Sequence, residues 1–456
     1  MSGLNTSSVA RLDGRTLNPL ESLISSKTAR IGVVGLGYVG LPLAVEYASA
    51  GYVTVGIDLE TDKVDAVTQG KNYIADVEAN RLAAVVRSGK LTAKSDYDSV
   101  GSLDIIFICV PTPFTPSKDP DISAVLSAAK EIASRLRQKQ LIILRSTTFP
   151  GTTEAYVRPI LEEKGLIAGR DFYLAFSPER IDPGNKSWST TNTPVLVGGI
   201  TPECTRLAAL SLQQIVPHIV PVGSPKIAEM AKLLENVFRS VNIALVNELA
   251  QLCDRIGGLN MWEVIDAASS KPFGFMPFYP GPGIGGHCIL VDPFYLSWLA
   301  RQHDFQTKFI TLAAETNELM PFYVKNMVLR EISMMPVSLR EAKIVILGVA
   351  FKKNTDDVRH SPAVKILQLL LSDGARNLWY SDPYVPQLSV DSQTMESITL
   401  DEELLRSSDC VLIIADHSSF DYEMIVRHAR RIVDTRNATK GFPFGREKIV
   451  VLGDGA

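Results

Sequence analysis

Apolar runs and glycine turns alternate through the first half of the chain. The stretch "ARIGVVGLGYVGLPLAVEYASAGYVTVGIDLE" opens as an apolar strand, passes a glycine cluster and continues as a helix of small and apolar positions. It closes on a second strand ending at Asp58. Strand-like runs follow at "DIIFICVP" and "QLIILRSTT", separated by a helical pattern from Ile122 to Arg137, and "FYLAFSPER" and "TPVLVGG" add strands before Val220. Such alternation predicts a parallel sheet with helices on both faces.

From Pro225 the pattern changes. "PKIAEMAKLLENVFRSVNIALVNELAQLCDRIGG" carries apolar residues at helical spacing with no interior Pro or Gly, and its glycine pair supplies a stop. "KFITLAAETNELMPFYVKNMVLREIS" continues this helical region. A second strand, turn, helix and strand unit begins at "AKIVILGVAFKKNTDDVRHSPAVKILQLLLSDGARNLWYSDP", followed by "DCVLIIAD" and "RRIVDTRN". The expected fold is α/β: two Rossmann-like doubly wound domains joined by a long central helix and a helical middle region. The expected divisions are an N-terminal arm over 1–29, a first α/β domain over 30–220, a helical domain over 221–335 and a second α/β domain over 336–456. The two α/β units share a layout but no sequence repeat.

Composition narrows the function classes. With 456 residues the chain is too long for one ordinary core. A net charge of −4 gives no electrostatic case for a nucleic acid or anionic membrane partner. No run approaches the ~18 apolar residues of a membrane-spanning helix, and the first 30 residues lack the apolar core of a secretory signal. A cytoplasmic protein with a mobile or loosely docked arm is expected. Of five cysteines, Cys109 and Cys410 sit in apolar strand runs, and Cys204 and Cys253 in helical patterns, as buried reduced thiols do.

Gly35, Gly37 and Gly40 form G-x-G-x-x-G between a predicted strand and a predicted helix. The first glycine suits a tight turn, the second close approach of a pyrophosphate, the third helix–strand packing. Asp58 ends the next strand, at the distance where an acid accepts from ribose hydroxyls and repels a 2′-phosphate, which favours NAD over NADP. A glycine turn serving packing alone is the alternative. Thr112, Ser146 and Thr147 end two further strands, where a cofactor or water would lie, or where hydroxyls serve ordinary turns.

The fifth cysteine is different. "GPGIGGHCILVDPFYL" sets Cys288 in a loop of glycine and proline, where Gly285 and Gly286 would let a ligand approach the backbone. Beside an NAD site such a thiol suggests covalent capture of an aldehyde. A structural thiol is the alternative. A metal site with His287 has little support, since no spaced His/Cys set exists. Lys232 and Asn236 lie four apart on one helix face, either turned into a cleft or solvated. Glu179 in "SPER" is a strand-end base or a surface acid.

Together these residues resemble the UDP-glucose/GDP-mannose dehydrogenase family. The matching pieces are "GLGYVGLPLA", "VPTP", "STTFPGT", "SPER", "EMAKLLENVFRSVNIALVNELA", "GGHC" with "VDP", and "GVAFKKNTDDVRHSP". The resemblance implies oxidation of the C6 hydroxymethyl of a nucleotide sugar to a carboxylate with two NAD+ reduced. It implies Cys288 as nucleophile, Lys232 and Asn236 as oxyanion donors, Thr147 and Asp292 as holders of a water, and Glu179 as the base. For the cofactor it implies Gly35, Gly37, Tyr38, Val39, Gly40, Asp58, Lys63, Thr112, Thr147 and Arg359. For the UDP-sugar it implies Glu179, Arg180, Lys232, Asn236, Phe278, Tyr279, Gly283, Gly285, Lys352 and Arg436. No metal is implied, and a homodimer or larger assembly is. Leu290 stands where many members carry proline. "SSKPFGFMPFYPGPG" lacks the arginine that glucose-type members lend to a neighbouring subunit's substrate. That points to UDP-N-acetylglucosamine, with UDP-glucose and UDP-N-acetylmannosamine as alternatives. Phe273, Phe275, Phe278 and Tyr279 would form a wall for the N-acetyl group, or pack as core. A non-catalytic dinucleotide-binding scaffold and a simple 2-hydroxy-acid dehydrogenase are the readings from other classes.

Overall fold

The structure, a computed structural model, describes residues 11–12, 15–16, 18–74, 77–115, 117–180, 187–286, 288–391 and 393–456. His287 and the first ten residues of the expected arm lie outside this set. The chain divides into two compact units, residues 1–234 and 235–456.

The first unit holds an eight-stranded sheet. Its strands are β1 (Arg30–Val34), β2 (Val53–Ile57), β3 (Leu91–Lys94), β4 (Ile105–Ile108), β5 (Leu141–Leu144), β6 (Tyr173–Phe176), β7 (Val195–Gly199) and β8 (Ile219–Pro221). Their spatial order is β8-β7-β6-β5-β4-β1-β2-β3. All neighbours are parallel except β6 and β7. Strands buried on both faces read as continuous apolar runs, and alternate residues serve opposite cores. Ile105 and Phe107 of β4 enter one cluster, Ile106 and Ile108 the other. The order reverses beside β1, so the carboxyl ends of β1 and β4 flank a crevice of the kind that takes ligands. The arm is firmer than its sequence suggests: a helix over Pro19–Ser25 buries Leu20 and Ile24 in the first core.

The second unit contains a five-stranded, wholly parallel sheet. It is built from β9 (Lys343–Leu347), β10 (Asn377–Ser381), β11 (Cys410–Ile413), β12 (Ile432–Asp434) and β13 (Ile449–Val451), in the order β10-β9-β11-β12-β13. The two Rossmann-like sheets and the helical middle are those the alternation predicts. A small antiparallel hairpin over Gln387–Val390 and Gln393–Glu396 has no such forewarning.

Three helices carry the middle region: α1 (Pro225–Ile256), α2 (Cys288–Arg301) and α3 (Lys308–Ser333). Helix α1 buries polar residues beside apolar ones and exposes a second apolar side. Its buried side presents Glu229, Lys232, Asn236, Ser240 and Asn247. Its opposite side presents Ile227, Met230, Leu234, Phe238, Leu245, Leu252 and Ile256, every one more than 40% exposed. Cys109, Cys204, Cys253 and Cys410 are buried free thiols, as expected. No helix among the described residues is long and apolar enough to cross a membrane.

Candidate functional site

In the first unit the glycine turn follows β1. Gly35 has φ +91°, and a Cβ there would lie 2.7 Å from the Cys109 carbonyl oxygen, while one on Gly40 would lie 1.8 Å from the Gly35 carbonyl oxygen. Those two glycines are required by the fold itself. Gly37 is not: a Cβ there meets nothing within 4 Å. The space above the turn is open where a pyrophosphate would approach the helix N-terminus over Gly40–Ser49. Asp58 Oδ2 accepts from the Leu36 N–H at 2.7 Å and Oδ1 from the Glu60 N–H at 3.0 Å, which aims the carboxylate over the turn with lone pairs to spare. These residues fit a dinucleotide. Tyr38 is exposed beside them, Val39 is half-buried, and Lys63 is ion-paired with Glu60 at 2.6 Å.

The next strand ends are tied to each other. Thr112 Oγ1 donates to the Thr147 carbonyl at 2.7 Å, and Ser146 Oγ to the Val110 carbonyl at 2.7 Å. These two hydroxyls each donate within the turns, whereas Thr147 is half-buried and its own hydroxyl makes no hydrogen bond among the described residues. Glu179 is not a surface acid. Its carboxylate is bonded to Arg145, which is 2% exposed at the end of β5, and Arg145 Nη1 reaches Ser177 Oγ at 3.3 Å. Burial works against the Arg145 charge, but Glu179 outweighs it and holds the guanidinium pKa above its ordinary value. Arg180 donates its backbone N–H to Glu179 Oε1 at 2.7 Å and its Nη1 to the Pro194 carbonyl at 2.8 Å. Burial pushes the nearby Cys109 thiol up to about 12.

One residue of α1 that the sequence reading passed over organises the region. Glu229, fully buried, accepts from the Gly151 and Thr153 N–H groups and from Thr153 Oγ1 at 2.6 Å. Burial raises its pKa against the pull of these donors. Lys232, three residues on, is 7% exposed. Its ammonium makes no hydrogen bond or ion pair among the described residues. The solvated-face alternative for Lys232 and Asn236 is thereby removed.

In the second unit Asn236 Nδ2 donates to Asp292 Oδ2, and both side chains are buried. Asp292 lies in α2, whose first residue is Cys288. Cys288 is therefore the residue that opens this helix. Gly283 and Gly285 are half-buried in the preceding loop. The sequence reads Gly285 and Gly286 as openings for a ligand, but the structure closes that side. A Cβ on Gly285 would lie 2.5 Å from Phe351 Cβ, and one on Gly286 2.9 Å from the Phe351 ring. The glycines there admit the protein's own residues. Asn247 also escaped the sequence reading: its Oδ1 accepts from the Gly281 N–H at 2.9 Å, and its Nδ2 donates to Asn317 at 3.0 Å.

The aromatic wall is not continuous. Phe278 packs on Phe238 and on the core around Met261, and Tyr279 stacks on Trp262 and donates to Asp266 at 2.6 Å. Phe273 and Phe275 are exposed. Lys352 is half-buried in the turn after β9. Arg359 is ion-paired with Asp357 at 2.6 Å, and its carbonyl accepts from the Gly286 N–H. Arg436, after β12, donates through Nε to the Ile414 carbonyl at 2.9 Å and packs against Gly281. Burial lowers its pKa despite Asp416 and Asp434. Among the described residues no group of three or more His, Cys, Asp or Glu gathers as a metal site would need.

Comparisons with known proteins bear on the whole chain. Family models match in three stretches: the NAD binding domain of the UDP-glucose/GDP-mannose dehydrogenase family over residues 29–215, its central domain over 226–319 and its UDP binding domain over 345–441. A UDP-N-acetyl-D-mannosamine dehydrogenase of Pyrococcus horikoshii is 34% identical over 422 residues, 91% of this chain and 97% of that one. An NDP-N-acetyl-D-galactosaminuronic acid dehydrogenase of Ralstonia nicotianae is 35% identical over 419 residues, 89% of this chain and 95% of that one. A solved structure of a UDP-D-ManNAc dehydrogenase from Pyrococcus horikoshii superposes with a TM-score of 0.84 at 33% identity, covering 93% of this chain and 99% of the other.

Proposed function

The chain belongs to the UDP-glucose/GDP-mannose dehydrogenase family, and we propose that it oxidises the C6 hydroxymethyl of a UDP-N-acetylhexosamine to a carboxylate. The relatives described above are named for N-acetylated sugars. Neither is named for UDP-N-acetylglucosamine, which the sequence favours, so the sugar class is the proposal and the epimer is assigned by assay. The observation that carries the reading is the buried polar side of α1. There Asn236 is buried and bonded to Asp292, four residues after Cys288 in sequence, which supports the reading.

NAD supplies a hydride acceptor for each of the two oxidations. The turn over Gly35–Gly40 and Asp58 would hold it, and the chain's own groups do the rest. The Cys288 thiolate adds to the C6 aldehyde left by the first oxidation, forming a C–S bond and a thiohemiacetal. The alkoxide that develops is met by Lys232 and by the second N–H of Asn236, both buried side chains. After the second oxidation the adduct is a thioester. Thr147 and Asp292 hold the water that cleaves it, and Glu179 takes the proton. Acid is released and the thiolate returns. Tethering keeps the half-oxidised sugar aligned between the two oxidations.

The test is incubation of purified protein with NAD+ and, in turn, UDP-N-acetylglucosamine, UDP-N-acetylmannosamine, UDP-N-acetylgalactosamine and UDP-glucose. Two NADH per sugar are expected for an N-acetylated substrate. Cys288→Ala binds NAD and yields no acid; normal acid production by that variant refutes the thioester route. Preference for UDP-glucose refutes the substrate class.

A further inference from the structure

Both sheets place an acid at the end of a strand next to the first, and in both that acid accepts from the first turn. The Leu36 N–H donates to Asp58 at 2.7 Å, and the Val349 N–H to Asp382 at 2.7 Å. The two acids then part ways. Asp58 is half-buried, whereas Asp382 is sealed. Asp382 also accepts from the Ala350, Tyr384 and Val385 N–H groups, and it meets His417 Nε2 at 3.0 Å with both side chains fully buried. Burial would raise the Asp382 carboxyl, yet these donors hold it below its ordinary value.

His417 faces two ways. Its Nδ1 accepts from the Asn354 N–H at 2.9 Å, which leaves Nε2 as the protonated nitrogen donating to Asp382. Asn354, at φ +58°, is latched further: its Oδ1 accepts from the Ser418 N–H at 2.8 Å and its Nδ2 donates to Ser418 Oγ at 2.9 Å. Residues 349–350 and 354, on either side of Lys352, therefore hang from one buried pair. A sealed acid is closed to ribose hydroxyls, so in this sheet the strand-end carboxylate shapes the turn.

We infer that Asp382 and His417 are positioning residues that fix the 349–354 turn in the form presenting Lys352 to the diphosphate of the nucleotide sugar. The inference rests on reading Lys352 as a substrate contact. Loss of one fixed hydrogen bond behind such a contact weakens binding about tenfold.

The experiment compares full-length His417→Phe, His417→Asn and Lys352→Ala by steady-state kinetics and by calorimetric titration with UDP. Phenylalanine suits the pocket, where Tyr384 and Phe420 rings lie 5.0 and 5.6 Å from the His417 ring. His417→Phe raises KM for the sugar and Kd for UDP about tenfold, with KM for NAD unchanged and Tm lowered by the lost buried hydrogen bonds. His417→Asn, whose amide oxygen takes over as acceptor for Asn354, recovers most of the loss. Lys352→Ala raises the same two constants. A folded His417→Phe with both constants unchanged, while Lys352→Ala raises them, overturns the inference. So does an equal loss toward NAD and sugar. Lys352→Ala without effect overturns the reading of Lys352 itself. Should His417→Phe fail to fold, Asp382→Asn is expected to give the same rise, and its absence overturns the inference equally.

Discussion

Gly37→Ala separates a glycine kept for a ligand from one kept for the fold. The built Cβ meets nothing within 4 Å, and Gly37 lies outside the positive-φ region, so the substitution leaves the free protein unstrained. Its stability should change by no more than about 0.5 kcal/mol. The methyl instead fills space that a phosphate oxygen needs to come within about 2.9 Å of a backbone nitrogen. Each charge-assisted bond lost contributes about 1.5–3 kcal/mol, so NAD affinity should fall roughly 10- to 150-fold. Calorimetric titration with NAD and a thermal melt read the two quantities separately. Gly40→Ala is the control. Its Cβ falls 1.8 Å from the Gly35 carbonyl oxygen, so it must lower stability and affinity together. If Gly37→Ala binds NAD like the unaltered protein, no pyrophosphate crosses that turn and the dinucleotide reading of the first unit fails.

Other expectations follow from burial. Lys232→Met should lower sugar oxidation at least about 100-fold with little change in Tm; a melt several degrees lower would contradict a role outside folding. Iodoacetamide at pH 8 should modify Cys288 first by mass spectrometry. The Cys109 and Cys410 thiols, pushed up to about 12 by burial, keep only about one part in 10⁴ as thiolate. Their labelling should climb with pH, and fast labelling of Cys109 at pH 8 would refute the assignment. The exposed apolar stripe on α1 should pair two copies of the chain. Leu234→Glu combined with Leu245→Glu should then convert a dimer to a monomer in light scattering, and an unaltered protein already monomeric at micromolar concentration refutes that pairing.

The strands of both sheets were legible because each is short, apolar and bounded by turn residues. The glycine turn was legible because Asp58 confirms it from the next strand. What escaped were long-range polar pairs. Arg145 reads as a strand-end charge, and nothing local joins it to Glu179, 34 residues away. Asp382 and His417 are separated by 35 residues and take meaning only when β9, β10 and β11 lie side by side. Glu229 and Asn247 did leave a signal. With Lys232, Asn236 and Ser240 they recur on one side of α1, while the opposite side is apolar. Hydrophobic residues occur on both sides of that helix, so they alone do not say which side is buried. Gly285 and Gly286 misled for a related reason: a missing side chain marks a close neighbour without saying whether it is ligand or protein.

Glu229 stitches the opening turns of α1 to the loop that leaves β5, since its carboxylate grips the Gly151 and Thr153 N–H groups. Thr147 lies four residues upstream on that loop, and Lys232 rides three residues downstream of Glu229 on the helix. Any roll or slide of α1 therefore drags the loop along. On the proposed function, the residue proposed as oxyanion donor and the residue proposed as water holder would then keep their spacing as α1 moves.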